Sequence, residues 1–387
     1  MEWNKRRTIS LWFLFGLAFV CQMLAGVVGI AVPIYARLHG ASHFMVGLIG
    51  AAGGSIYSFV PFVSGRLCDR SSRKAFVSGS LISYGLSCLL YSLTEDPLLL
   101  VFIKALEWSS IGAFWPAMEA LIADSGDAQL EETLKRFNLS WGTAMIVGPL
   151  IGGVLISVWS AKAPFYISLV VSWFFGLLSL VVIAEPSRKH DANTDAGIKP
   201  RGDMENQSPI VAALTSIFLF SSIVGIILSL FPSYAVDLEI SPFEIGLITL
   251  AFGASRVVAF HQANRIEARL KRPRMFLLGT TALAIGSLLT FYSSSVPLFM
   301  FCFLVFGFGA GISYAASISS VLRRWRSSRG YAAGVFESLI GLGYFAGPLI
   351  GGAISGYAPN APYMYGFVLS STVFFIQLAF RKRGSTT

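Results

Sequence analysis

Long hydrophobic segments alternate with short polar connections along the whole chain. A membrane-spanning helix needs about 20 mostly apolar residues, and twelve segments reach roughly that length. They fall at about residues 10–35, 45–64, 75–93, 98–122, 136–159, 164–184, 209–235, 243–262, 275–293, 297–320, 331–355 and 362–380. The pattern predicts an all-α membrane protein with twelve transmembrane helices.

The composition supports this prediction and excludes several classes of protein. Of the 387 residues, 55% are hydrophobic and only 13% are charged, and the mean hydropathy is +0.68. Soluble domains carry about 25% charged residues, so a cytosolic enzyme and a disordered chain are excluded. The four cysteines lack the Cys-x-x-Cys spacing that is typical of metal sites. We therefore expect neither a metal nor a cofactor.

The Lys and Arg residues indicate how the chain is oriented in the membrane. If the N-terminus is cytoplasmic, all but four of the 29 basic residues fall in cytoplasmic segments, as the positive-inside rule requires. The exceptions are Arg37, Lys104, Lys162 and Arg256. We expect a multi-pass protein of the plasma (cell inner) membrane with both termini in the cytoplasm. The net charge of +9 then reflects topology, and nucleic-acid binding is not predicted.

A repeat relates the two halves of the chain at a constant offset of 199 residues. Residues 142–153 read GTAMIVGPLIGG, and residues 341–352 read GLGYFAGPLIGG. Six spans in each half give both halves the same direction, so the axis that relates them is expected to run along the membrane normal, with a substrate site between the halves. The predicted units are an N-terminal six-helix bundle (1–185), a cytoplasmic linker (186–208) and a C-terminal six-helix bundle (209–387).

The connection between the second and third spans carries a recognisable motif. It reads GRLCDRSSRK from Gly65 to Lys74. This resembles the Gly-x-Leu-x-Asp-Arg-x-Gly-Arg-Lys signature of the major facilitator superfamily, with Ser72 in place of the second glycine. Lys104 stands where many members carry an arginine, twelve residues before Pro116. The resemblance covers essentially the whole chain and implies a twelve-helix transporter of small molecules that works by alternating access.

In the superfamily this connection is thought to latch the cytoplasmic side shut. The resemblance assigns the cytoplasmic gate to Gly65, Asp69, Arg70 and Arg73. Glycine allows a close backbone approach, and Asp69 can pair with a neighbouring arginine or with a helix N-terminus. The alternative is a basic loop that only sets the topology and carries one solvated acid.

The fifth span resembles the Gly-x5-Gly-Pro-x2-Gly-Gly pattern of the antiporter (exporter) branch, and the eleventh span repeats it. The residues of this helix-packing motif are Gly142, Gly148, Pro149, Gly152 and Gly153, together with Gly347, Pro348, Gly351 and Gly352. Small residues let helices pack closely, and proline can kink a helix. We expect both segments to pack against the opposite half where the halves rock, with ordinary small-residue packing as the alternative.

Polar side chains inside spans are costly in lipid and therefore point to function. The candidates for proton coupling or substrate binding are Glu107, Lys104, Arg256, Glu337 and Gln22. Glu107 lies about 15 Å from the start of the fourth span at about 1.5 Å per residue, close to the bilayer midplane. Burial disfavours its charge, whereas Lys104 nearby favours it. We interpret Glu107 as the group that is reversibly protonated. A passive ion pair with Lys104 and direct binding of a cationic substrate are the alternatives.

Large aromatic side chains are expected on the wall of the central cavity. Trp108 and Trp115 share one face of the fourth span, and Tyr234 and Tyr314 are further candidates. Glu119 lies near a span end, where we expect it at the membrane interface.

Together these features favour a secondary-active transporter over an enzyme, since the sequence contains neither HExxH nor GxxxxGK[ST]. We expect a monomer that exports small amphipathic or hydrophobic compounds, with protons and the lipid bilayer as further partners. The alternative is an uptake symporter or facilitator for a metabolite such as a sugar or an organic anion, whose charge Lys104 and Arg256 could bind.

Overall fold

The computed structural model describes residues 2–125, 130–183, 208–324 and 329–383. Fourteen helices and no β-strand occur in these ranges. The helices are α1 (Glu2–Leu38), α2 (His43–Tyr57), α3 (Val60–Arg70), α4 (Arg73–Leu93), α5 (Pro97–Ser125), α6 (Leu130–Val158), α7 (Ala163–Val182), α8 (Ser208–Ser229), α9 (Phe231–Asp237), α10 (Pro242–Leu270), α11 (Arg272–Tyr292), α12 (Val296–Arg324), α13 (Arg329–Ile354) and α14 (Ala361–Arg383).

The prediction of twelve transmembrane helices is confirmed for the described residues. Twelve helical segments are long and apolar enough to cross a membrane. Two of them are built from two helices each, α2 with α3 and α8 with α9. Pro61 and Pro232 lie in the first turn of α3 and α9. Proline has no N–H to continue the hydrogen bonds of the preceding helix, which explains why both breaks occur there.

Because the number of spans is even, α1 begins and α14 ends on the same side of the membrane. We call this side the terminal face and the other side the opposite face. Of the predicted linker, residues 186–208, only Ser208 lies within the described ranges. The division of the chain into two bundles and a linker stays a prediction, and we refer below to residues 2–183 and 208–383 as the N-terminal and C-terminal halves.

The two halves repeat the same internal helix packing. In the N-terminal half, α6 packs on α1 so closely that a Cβ atom at Gly148 would lie 2.6 Å from the carbonyl oxygen of Met23. In the C-terminal half, a Cβ atom at Gly347 of α13 would lie 2.2 Å from the carbonyl oxygen of Ser222 of α8. Both pairs are related by the 199-residue offset. The repeat in the sequence is therefore a repeat of helix contacts.

Other glycines of the two motifs contact the opposite half. A Cβ atom at Gly153 of α6 would lie 2.3 Å from the carbonyl oxygen of Pro242 of α10. On the other side of the molecule, Gly352 of α13 faces Gly47 of α2, and a Cβ atom at Gly47 would lie 2.4 Å from the carbonyl oxygen of Pro348. Such close approach needs residues without a side chain. We call the α2–α13 and α6–α10 contacts the seam.

The halves pack more closely near the opposite face than near the terminal face. At the opposite face, Arg37 Nε of α1 lies 2.6 Å from Asp237 Oδ1 of α9, and His43 Nε2 lies 2.7 Å from Asp237 Oδ2. Towards the terminal face the contacts loosen: a Cβ atom at Gly142 of α6 would lie 4.0 Å from Val257 of α10, and a Cβ atom at Gly334 of α13 would lie 3.7 Å from Phe62 of α3. The space between the halves therefore opens at the terminal face.

Candidate functional site

A cavity of about 600 Å³ lies between the two halves. Its wall is formed by residues of α1, α2, α3, α5 and α6 from the N-terminal half and of α8, α9, α10, α12 and α13 from the C-terminal half. Ligand pockets for drug-sized molecules measure about 300–1,000 Å³. The cavity is therefore large enough for one small molecule that contacts both halves at once.

Most of the residues singled out in the sequence meet at this cavity. The wall includes all five polar candidates, namely Gln22, Lys104, Glu107, Arg256 and Glu337. Three of the four predicted aromatic residues line it as well, namely Trp108, Trp115 and Tyr314. Trp115 and Tyr314 are themselves related by the 199-residue offset, so the repeat places a large aromatic ring on each side of the cavity.

The structure places Tyr234, the fourth of these aromatic residues, away from the wall of the cavity. Its ring packs against Phe299 and Tyr363, with centroid distances of 6.3 and 5.7 Å. Pro232, two residues earlier in α9, does line the cavity. Two residues turn a helix by about 200°, so Tyr234 points to the other side of α9, into the core of the C-terminal half.

Glu107 is held in a closed network of charged and polar groups. Its two carboxylate oxygens accept hydrogen bonds from Lys104 Nζ at 3.0 and 2.9 Å, and one of them also accepts from the Tyr91 hydroxyl at 2.8 Å. Glu107 is only 1% exposed. This geometry is the ion pair that the sequence left as an alternative. The role of Glu107 in proton coupling stays a prediction.

Two further carboxyl groups line the cavity on its terminal side. Glu119 comes from α5 in the N-terminal half, and Glu337 comes from α13 in the C-terminal half. Glu337 faces the hydroxyl of Tyr57 and lies close enough to Glu119 for their charges to interact. Within the described ranges, neither glutamate has an ion-pair partner. A proton or a cationic ligand could neutralise them without breaking an existing pair.

The cation on the other side of the cavity is placed against uncharged groups. The guanidinium carbon of Arg256 lies 5.7 Å from the ring centre of Tyr314, and Nη1 lies 3.7 Å from Sδ of Met145. Arg256 also interacts with the hydroxyl of Tyr344. An arginine on an aromatic face gains a modest cation–π attraction and keeps donors for a ligand. Its charge is therefore available to an anionic group.

An aromatic bridge connects the two halves beside the cavity. The ring of Trp108 on α5 makes edge contacts with Tyr57 on α2 at 5.4 Å and with Tyr344 on α13 at 5.7 Å. A Cβ atom at Gly53 would lie 2.8 Å from Cδ1 of Trp108. The bridge therefore depends on a glycine at this position of α2.

The sequence did not identify Glu119, Tyr57 or Tyr344 as part of the wall. Glu119 was expected at the membrane interface; its side chain is exposed and also borders the cavity. A signal was present, since Glu119 lies four residues after Trp115 and therefore extends the same face of α5. The tyrosines give no comparable signal, because a lone aromatic residue in a span is equally suited to the core or to lipid.

The predicted cytoplasmic gate lies at the end of α3 and the start of α4. A Cβ atom at Gly65 would lie 3.7 Å from Cβ of Pro116, and Arg73 Nη1 donates to the carbonyl oxygen of Ala120 on α5 at 3.3 Å. The side chains of Asp69 and Arg70 lie outside the described part of the structure. The latch stays a prediction.

Charged pairs on the opposite face explain two exceptions to the positive-inside pattern. Arg37 and Lys162 are basic residues on the predicted outer side, and each has an acidic partner, Asp237 at 2.6 Å and Glu95 at 2.8 Å. The hydrogen bond with Lys162 lowers the pKa of Glu95, and the same contact raises the pKa of Lys162. The pair with Asp237, which His43 joins, connects the two halves.

Comparisons with known proteins agree with this architecture. The chain matches the Major Facilitator Superfamily over residues 14–241 and again over residues 213–386. It is 25% identical over 374 residues to Multidrug resistance protein 1 of Bacillus subtilis, covering 94% of each chain. It is 24% identical over 363 residues to Quinolone resistance protein NorA of Staphylococcus aureus, covering 89% of each chain.

A solved structure shows the same fold. The nucleoside transporter NupG superposes with a TM-score of 0.81 over 96% of this chain and 99% of that chain, at 13% sequence identity. At this identity the similarity shows the fold alone.

Proposed function

Because the chain belongs to the major facilitator superfamily, we propose that this transporter exports small amphipathic or hydrophobic compounds across the plasma membrane in exchange for protons. The observation that carries the proposal is the cavity of about 600 Å³, which combines aromatic rings with carboxyl groups from both halves. The two relatives with drug-resistance names support export as the direction of transport.

The orientation of the chain in the membrane determines the side from which the cavity can be reached. We infer from the distribution of Lys and Arg residues that the terminal face is cytoplasmic. The cavity then opens to the cytoplasm, and the seam closes it on the outside, which is the state in which an exporter takes up its substrate. Both halves of the cavity come from one chain, which supports a monomer as the working unit.

The contacts of the three glutamates favour two of them as proton carriers. Protonating Glu107 would cost its bonds to Lys104 and Tyr91. Breaking one side of a buried ion pair costs about 3–5 kcal/mol. Glu119 and Glu337 have no cationic partner among the described residues. We therefore propose that Glu119 and Glu337 carry the protons, and that Glu107 and Lys104 form a fixed pair in the wall.

Transport into proteoliposomes with an acidic lumen tests the exchange. A fluorescent amphipathic compound should accumulate inside above its external concentration, and a proton ionophore should abolish the accumulation. We expect Glu119→Gln and Glu337→Gln to allow only equilibration, whereas Glu107→Gln should retain uphill transport if it folds. If Glu119→Gln and Glu337→Gln transport the compound uphill as well as wild type does, the assignment of the proton carriers is refuted.

An uptake symporter or facilitator is the second candidate. Arg256 favours it, because this cation lines the cavity and could bind an organic anion. A symporter would accumulate its substrate when the external solution is acidic, and a facilitator would only equilibrate it. The direction of the gradient that drives accumulation therefore distinguishes the two functions.

A further inference from the structure

The charged cavity residues that have no ion-pair partner in the described structure form two separate groups. The first consists of Glu119, Glu337 and Tyr57, and we call it the acidic pole. Its members come from α5, α13 and α2, so it lies along the α2–α13 part of the seam. The two carboxyl groups interact with each other, and Glu337 interacts with the tyrosine hydroxyl. A positive group placed here would contact both halves of the transporter.

The second group is the guanidinium of Arg256, which we call the basic pole. Arg256 is on α10 and lies beside Met145 of α6, so it belongs to the α6–α10 part of the seam. Neither Glu119 nor Glu337 is among its contacts in the described structure. The two poles share one cavity and do not neutralise each other.

The internal repeat shows that this separation of charge breaks the symmetry of the fold. Tyr57 and Arg256 are related by the 199-residue offset, and so are Asn138 and Glu337. All four residues line the cavity. The two parts of the seam are built alike, yet one carries an acid where the other carries an amide, and a tyrosine where the other carries an arginine.

Aromatic groups occupy the region between the poles. Tyr314 and Tyr344 each interact with both Arg256 and Glu337. A flat ring between the poles would therefore contact aromatic walls, which favour offset or edge-to-face packing. The remaining cavity charges, Lys104 and Glu107, already neutralise each other.

We propose that the cavity binds zwitterionic aromatic compounds, with an ammonium group at the acidic pole and a carboxylate or similar anion at the basic pole. This substrate class rests on the proposed function. Where a bound ligand displaces water from the cavity, a charge that is left without a partner is costly. A ligand with one charge leaves one pole uncompensated, whereas a zwitterion compensates both. The site therefore selects against cations and anions of the same shape.

Equilibrium binding to the purified transporter in nanodiscs tests the proposal without any gradient. The probe is (aminomethyl)biphenylcarboxylic acid, a rigid aromatic zwitterion. Its methyl ester carries only the positive charge, and its N-acetyl derivative carries only the negative charge. We expect wild type to bind the zwitterion on the order of tenfold more tightly than either derivative, which corresponds to about 1.4 kcal/mol.

Variants of the two poles should respond to different derivatives. Arg256→Gln should weaken binding of the zwitterion and of the N-acetyl derivative about tenfold, and leave the methyl ester unchanged. Glu337→Gln should weaken the zwitterion and the methyl ester, and leave the N-acetyl derivative unchanged. The charge-conserving variants Arg256→Lys and Glu337→Asp should retain the ranking of the ligands. Glu95→Gln makes the same substitution on the opposite face and should change none of the affinities.

Equal affinity of wild type for the three compounds would overturn the proposal. So would variants that weaken all three ligands alike, because that result indicates a structural role for the poles. If the Gln variants fail to fold, the ranking in wild type and in the two charge-conserving variants decides the question. Gradient-driven transport without selectivity for the zwitterion would refute this inference and leave the proposed function standing. Selective binding of the zwitterion without gradient-driven transport would refute the proposed function and leave this inference standing.

Discussion

A single methyl group at the seam should destabilise the conformation in which the seam is closed. Gly54 on α2 faces α13 of the other half, and a Cβ atom there would lie 2.3 Å from both Phe345 N and Tyr344 C. Both are backbone atoms, which cannot rotate away as a side-chain tip can. Gly54→Ala therefore forces α2 and α13 apart at this point, and only while the seam is closed.

The size of the effect follows from the cost of overpacking. Inserting a methyl group into a well-packed contact costs about 1–3 kcal/mol. Applied to only one of two conformations, this shifts their populations by roughly 5- to 150-fold. Replacing glycine by alanine inside a helix also gains up to about 1 kcal/mol in either conformation, so that gain does not change the ratio.

Thiol labelling from the terminal face measures this population. Asn138 lines the cavity and is exposed, and the four native cysteines are buried. With Asn138→Cys, a membrane-impermeant maleimide should react rapidly in the wild-type background and at least several-fold more slowly when Gly54→Ala is added. Gly79→Ala on α4 is the matched control, because nothing lies within 4 Å of a Cβ atom there. Equal labelling rates for the Gly54 and Gly79 variants would refute the argument that the seam gates the cavity.

Three further changes test individual contacts. Lys104→Met should destabilise the protein by about 3–5 kcal/mol, because it leaves the carboxylate of Glu107 buried and unpaired, and the double variant with Glu107→Gln should recover most of the thermal midpoint. Asp237→Asn should weaken the partly exposed contacts between the halves at the opposite face by up to about 1 kcal/mol, and so slow labelling at the cavity by a few-fold. Lys162→Gln should remove a small stabilisation that is present at neutral pH. The difference in thermal midpoint from wild type should vanish as the pH falls through the lowered pKa of Glu95 and as it rises through the raised pKa of Lys162.

The twelve spans and the close packing of the halves could be predicted because lipid leaves few alternatives. Backbone groups in the bilayer must bond within helices, so an apolar segment of sufficient length is a helix. The repeated glycines had to lie at helix contacts, because only residues without side chains allow backbones to approach as Gly153 and Gly352 do. Local sequence therefore determines these features.

The details of the cavity depend on contacts between distant segments. Tyr91 reaches Glu107 from another helix, and no pattern in either span predicts that contact. Tyr234 points into the core, where its ring packs against Phe299 and Tyr363 of two other helices, and its own span does not indicate which face meets them. Arg37 and Asp237 lie 200 positions apart and meet only because the halves close on that side. Rotation of helices and docking of the halves decide these contacts, and neither is encoded locally.

Distances between spin labels on the two faces test the central claim that the halves open alternately. One pair, Leu38→Cys with Glu239→Cys, reports on the opposite face, and a second pair, Leu139→Cys with Asn264→Cys, reports on the terminal face; all four positions are exposed. Adding Gly54→Ala to each pair should lengthen the first distance and shorten the second. Distances that stay constant, or that change in the same direction on both faces, would contradict alternating access through this cavity.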